Sequence, residues 1–101
     1  MKIKKVISKK VIPPEYKVIL TMAGNEYESE GATIDEALAS LAIDWVKIKA
    51  KGIIKVLKGK QSVERLFQMG QLRRIFVNKI MRSIWAKRLE LFLNEQNASG
   101  L

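Results

Sequence analysis

Hydrophobic and polar positions alternate, then change period, twice along this chain. The run YKVILTM over Tyr16–Met22 is rich in aromatic and β-branched residues and predicts a strand. Ala23-Gly24-Asn25-Glu26 supplies turn chemistry, and residues 27–30 predict the return strand, with Tyr27 and Ser29 on one face and Glu28 and Glu30 facing water on the other. Gly31-Ala32 closes the hairpin, and at Thr33 the period changes. Thr33-Ile34-Asp35-Glu36 has the spacing of a capping box, in which the threonine hydroxyl accepts from the Glu36 amide and the glutamate reaches back to the amide of Thr33. Ile34, Ala37, Leu38, Leu41, Trp45 and Ile48 then recur at helical spacing, which predicts an amphipathic helix packed on the hairpin and ending near 45–47. Asp35 and Glu36 sit at the positive end of that helix, so capping accounts for the pair better than acid–base catalysis does.

The next stretch, residues 45–60, carries Lys47, Lys49, Lys51, Lys55, Lys58 and Lys60 and no acid. Lysines alternating with apolar residues lie on opposite faces of an extended strand, so one side can be buried while the other offers ammonium groups. The phase of 46–51 is ambiguous, because Ile48 continues the helical stripe while Val46, Ile48 and Ala50 begin a period of two. Gly52 permits a bulge or bend; residues 53–58 predict a third strand, Gly59-Lys60-Gln61 a turn, and residues 62–67 a fourth. Charge on an exposed strand also discourages edge-to-edge pairing.

Met69-Gly70 leads into a second predicted helix, from 71 to about 94. On it Leu72, Phe76, Val77, Ile80, Ile84 and Leu91 form a broad apolar face that Met81, Trp85 and Phe92 widen, while Ile75, Leu89 and Leu93 fall outside that arc. Such a helix needs cover from a partner, or a kink that turns its two parts in different directions. The candidate protein-interface residues are Ile75, Met81, Trp85, Leu89 and Phe92.

Residues 16–47 and 52–94 thus share a plan: strand, glycine turn, strand, link, helix. Gly24 and Gly59 lie 35 residues apart, and Val18-Ile19 falls on Ile53-Ile54 at that offset, which raises the hypothesis of a duplicated ββα unit. A lone hairpin with one helix rarely buries enough surface to fold, whereas two such units can share a sheet. The expected fold is α+β: two ββα units (15–47 and 48–94) making one domain over 15–94. Its sheet is four-stranded and mostly antiparallel with both helices on one face, a basic arm precedes it over 1–14, and a polar tail follows over 95–101.

Composition narrows the chemistry. At 101 residues the chain suits a single domain, and it has no cysteine and no histidine, which removes disulfides, thiolate metal sites and the commonest general base. Phosphate-binding loops, dinucleotide fingerprints, zinc spacings and magnesium-type carboxylate clusters are absent. No catalytic, metal or cofactor role is expected. Apolar runs stop well short of the ~18 residues a bilayer-crossing helix needs, and lysines interrupt every apolar pair near the N-terminus, so no signal-peptide core forms. The expected location is intracellular or inside a viral particle.

The net charge of +9 divides unevenly, +5 over 1–14, −6 over 15–46 and +10 over 47–101. Basic segments flanking an acidic one favour a polyanion partner, or contact between copies. Lys4, Lys5, Lys9 and Lys10 on the arm, Lys47, Lys49, Lys51, Lys55, Lys58 and Lys60 in the middle, and Arg73, Arg74 and Arg82 on the second helix are the candidate phosphate contacts. The bases of that helix form no clean stripe, although Lys79 and Arg82 share its most polar sector, and Trp45 and Trp85 fall on apolar faces that suit core packing better than base stacking. The expected function is a non-catalytic nucleic-acid-binding module with little sequence preference. The alternative is a structural subunit of a larger assembly, such as a phage particle, docking through the second helix and the arm as an oligomer or with a protein partner.

Overall fold

A computed structural model describes residues 15–99, without the side chains of 96–99. Strand β1 (Tyr16–Met22) turns into β2 (Asn25–Gly31), helix α1 (Ile34–Ser40) follows, and a single 3-10 turn (Trp45–Lys47) precedes β3 (Gly52–Lys58) and β4 (Gln61–Phe67). Two helices end the chain, α2 (Met69–Val77) and α3 (Lys79–Ser99). The four strands form one antiparallel sheet in the order β2-β1-β3-β4, with α1 lying over β1 and β2 and α3 over β4 on the same face. This is the expected α+β fold.

The alternation of β1 decides which face is inside. Tyr16, Val18, Leu20 and Met22 point to the helices, as do Ile54, Val56, Val63 and Phe67 from the second hairpin, and all are buried. Ile34, Ala37 and Leu38 close the core from α1, Leu72 and Ile75 from α2, and Ala86, Leu89 and Leu93 from α3. The other face of the sheet has no helix over it and carries Lys17, Ile19, Ile53, Lys55, Leu57, Leu66 and the glutamates of β2 and β4.

The two hairpins correspond at a different offset from the one the glycines suggest. Tyr16 pairs with Gly31 as Gly52 pairs with Phe67, and Met22 with Asn25 as Lys58 with Gln61, so the match is at 36 residues. An offset of 35 would lay buried Val18 on exposed Ile53, on the wrong face, because side chains alternate with a period of two. At 36, Ala23-Gly24 corresponds to Gly59-Lys60. The first turn has both central residues at positive φ (53° and 81°), the second only Gly59 (61°), as type I′ and II′ turns require. Gly52 makes no bulge; it is a buried strand residue whose Cβ would meet the Thr21 carbonyl oxygen at 2.9 Å and Leu72 Cδ1 at 3.1 Å.

Three further expectations are corrected. First, α1 ends at Ser40 rather than near 45–47, with Leu41 as its cap and Ala42 in the left-handed region at φ 54°. The helical stripe therefore stops at Leu41, and Trp45 is exposed (43%) instead of packed. Its N-terminal box also closes one residue early: Glu36 N–H donates to Thr33 Oγ1 at 3.0 Å, but Glu36 Oε1 accepts from the amide of Ala32 rather than Thr33.

Second, residues 45–51 make no strand. Asp44 Oδ1 accepts from Val46 N–H to start the 3-10 turn, so pairing begins at Gly52. β3 is moreover a central strand, so its lysines protect no edge; edge strand β2 carries Glu26, Glu28 and Glu30 instead.

Third, the long second helix is broken at Asn78. That residue is extended (φ −122°, ψ 113°), and its Oδ1 accepts from Ile80 N–H and Met81 N–H to start α3 afresh. The break resets the phase. Ile75, Leu89 and Leu93, outside the expected apolar arc, are core residues, while Val77, Ile80, Ile84 and Leu91, inside it, are exposed. α3 also runs on to Ser99, so residues 95–99 of the expected tail are helical. The basic arm over 1–14 lies outside the described residues.

An alanine in the left-handed region costs about 1 kcal/mol relative to glycine or asparagine. Ala42→Gly and Ala23→Asn, the latter creating an Asn-Gly turn, should each stabilise the fold by about that amount, read as a higher urea midpoint at unchanged slope.

Candidate nucleic-acid interface

The hairpins point in opposite directions along the sheet, and the charges separate with them. At one end lie the Ala23-Gly24 turn, the start of β3 and helix α2; at the other lie Glu15, the Gly59-Lys60 turn and the start of α1.

Bases dominate the first end. Lys47, Lys49 and Lys51 are all exposed on the connection from α1 to β3, and α2 packs against that connection. Ile48 is the anchor: its side chain is fully buried, and its carbonyl accepts from Arg73 Nε at 2.8 Å. This ties the connection to α2 and brings Arg73 onto the lysine-bearing connection, with exposed Arg74 next to it on the helix. Between 41 and 52, and along α2, Asp44 is the single acid, and its carboxylate is engaged in capping. Exposed Trp45 and Val46 sit among these bases. A groove of about 300 Å³ borders them, lined by Met22, Tyr27, Leu41, Ala42, Ile43, Asp44 and Lys47.

The other candidate bases are dispersed. Lys55 projects from the uncovered sheet face, between Ile19 and Glu64 in the strand register. Lys58 lies at the far end, 3.4 Å from Glu15 and 5.2 Å from the centre of the Tyr16 ring. The hydrogen bond that Lys58 donates to the Glu15 carboxylate, and then Tyr16, raise the Lys58 pKa above the usual lysine value. Tyr16 is raised as well, first by burial and then by Glu90, whose Oε2 accepts from the phenol at 3.3 Å. Lys60 is exposed at the tip of the second hairpin.

Arg82 is committed inside the fold. Its Nη1 donates to the Ile75 carbonyl at 3.2 Å, and its Nε lies 3.4 Å from Asp35 Oδ1, an ion contact without hydrogen-bond alignment. Lys79, one turn before Arg82 on α3, is exposed. Lys4, Lys5, Lys9 and Lys10 lie outside the described residues.

The candidate protein-interface residues are placed differently from expectation. Ile75 and Leu89 are fully buried, and Met81 is half-buried. Trp85 packs edge-on against Phe67, with ring centres 4.8 Å apart and the Arg88 guanidinium over its face, and Phe92 lies under Arg65 at 4.0 Å. The exposed large apolar residues of the helices are Met69, Val77, Ile80, Ile84 and Leu91 instead.

Among the described residues no group of acids, histidines or cysteines is arranged to hold a metal, and no helix is long and apolar enough to cross a membrane. No protein-family model, curated protein or solved structure matches the chain.

Adjacent arginines on α2 should respond differently to replacement. Arg73→Gln loses a part-buried charged hydrogen bond and should cost about 1.5–3 kcal/mol of stability, whereas exposed Arg74→Gln should stay within about 0.5 kcal/mol of the parent in urea unfolding.

Proposed function

We propose that this protein is a non-catalytic module that binds nucleic acid through phosphates, using the end of the sheet that carries Lys47, Lys49, Lys51 and Arg74. The observation that supports this reading is the exposure of these bases on a connection and the helix packed against it, whose single acid, Asp44, is already engaged, with exposed Trp45 beside them. Lysines offer point charges to phosphates without base selectivity, and arginine adds a forked donor. Exposed Trp45 supplies a flat apolar surface on which an unpaired base can stack, so single strands suit the site better than duplex. Arg73 holds the platform together, while Arg82 and Lys58 have partners elsewhere and play no part in this surface.

Replacing Lys47, Lys49 and Lys51 together by glutamine should leave the fold intact. The dependence of log affinity for a single strand on log salt should then become shallower by about 2, since each lost phosphate contact removes ~0.7. Trp45→Ala should weaken single-strand binding by about 1–3 kcal/mol and duplex binding far less. An unchanged salt slope in the triple variant would sink this reading.

A second reading, a structural subunit of a larger assembly, is favoured by the exposure of Ile80 (72%) and Leu91 (60%) on α3, with Val77 (56%) exposed at the end of α2. Under it the chain self-associates, and Ile80→Asp with Ile84→Asp should shift sedimentation from oligomer to monomer. A parent chain that remains monomeric at high concentration counts against it.

A further inference from the structure

The side of α3 turned away from the core is apolar. Helical geometry places Leu89, which has no exposed surface, at about 180° from Ile80, while Ile84 and Leu91 lie within about 40° of Ile80. Buried Ala86 and Leu93 fall on the Leu89 side. Ile80, Ile84 and Leu91 therefore point outward, and all three are exposed although α3 packs on α1, α2 and β4. With Lys87 among them, the residues Ile80, Ile84, Lys87 and Leu91 follow one another at steps of four, three and four. That is the spacing of a coiled-coil seam, which another helix completes. Among the described helices only α3 carries such a seam, because the apolar residues of α1 and the core residues Leu72 and Ile75 of α2 are already buried.

Charge selects the orientation in which two such seams fit. In a parallel pair Lys87 would face Lys87 of the second copy, and Glu90 would face Glu95 of the second copy. In an antiparallel pair centred between Trp85 and Ala86, Ile80 meets Leu91 of the second copy and Ile84 meets its Lys87, each contact occurring twice. The flanking positions then bring Ser83 to Glu90 and Met81 to Arg88, so no like charges oppose one another. The Lys87 stem covers Ile84 while its ammonium group stays in water.

We propose that the outer side of α3 is a self-association surface, on which two copies of the chain pair antiparallel about a two-fold axis with Ile80, Ile84 and Leu91 in the seam. The inference rests on the assembly reading above and gives that assembly its first contact; it is independent of nucleic-acid binding. The seam is short and carries one lysine from each copy, so the pair is a weak one that forms at high concentration.

Because the chain lacks cysteine, Ile80→Cys and Leu91→Cys each place a single thiol at an exposed position. Under mild oxidation an equimolar mixture of the two full-length variants should form disulfide-linked dimers. Neither variant should do so alone, because antiparallel pairing holds two copies of the same position about 16 Å apart along the axis, beyond the ~7 Å that a disulfide spans. Lys87→Leu, which takes the charge out of the seam, should tighten self-association about tenfold in sedimentation equilibrium. Cross-linking of either variant by itself as readily as in the mixture overturns the proposal. So does a mixture that forms no linked dimer, and so does a Lys87→Leu chain that associates no better than the parent. If the parent still self-associates in those cases, the assembly reading stands and uses another surface. A parent that stays monomeric up to ~1 mM overturns both.

Discussion

The pairing of β1 with β3 is the interaction on which the rest of the structure depends. Each hairpin alone is a two-stranded ribbon with one edge too many, and neither could bury a helix. Joined, they bring Val18 opposite Val56 and Leu20 opposite Ile54, four side chains with no exposed surface, at the middle of the sheet. At the 36-residue correspondence these two pairs exchange with one another, so an approximate two-fold axis passes through the Ile19–Lys55 pair. Few residues repeat across that axis; the resemblance of the halves lies in their alternation and turn spacing rather than in side-chain identity.

That approximate symmetry stops at the helices. α1 is a short piece held against β2 by the Ser29 hydroxyl, which donates to the Ala37 carbonyl, whereas its counterpart at the same offset, α2, leaves the sheet and α3 takes the place over β4. Arg82 secures this arrangement, touching α2 through the Ile75 carbonyl and α1 through Asp35. The departure of α2 has an electrostatic result. It delivers Arg73 and Arg74 to the end of the sheet that holds the lysine-bearing connection, while Glu15, Asp35 and Glu36 stay at the other end.

The strands were readable in the sequence because period-two patterning and paired turn residues are local signals, and both hairpins lie within a residue or two of where these place them. The helices were less readable for three physical reasons. Ala42 ends α1 in a conformation that alanine seldom adopts, so nothing in its chemistry marks the stop. Asn78 breaks the second helix by capping its continuation, a role the apolar residues on either side conceal. The phase of an apolar helix is set by what lies beneath it, and a pattern in which both Ile84 and Leu89 are hydrophobic does not reveal which faces the core. Of the candidate interface, Lys47, Lys49, Lys51, Arg73 and Arg74 do come together, but only tertiary contacts separate them from Arg82 and Lys58. Trp45 escapes the core because α1 stops at Ser40, before the apolar stripe of the sequence does.

The parity of the sheet also determines where this chain can change length. Each two-residue turn locks its hairpin, and one added residue within a strand would exchange inside for outside along the whole ribbon. The connection from Ala42 to Lys51 is different: it makes no strand pairs, and Ile48 anchors it while slack remains on both sides. The two halves can therefore drift in spacing without disturbing either register. Insertions and deletions that survive would gather in the loop beside the basic surface, where they alter the reach of its lysines and leave the core unchanged.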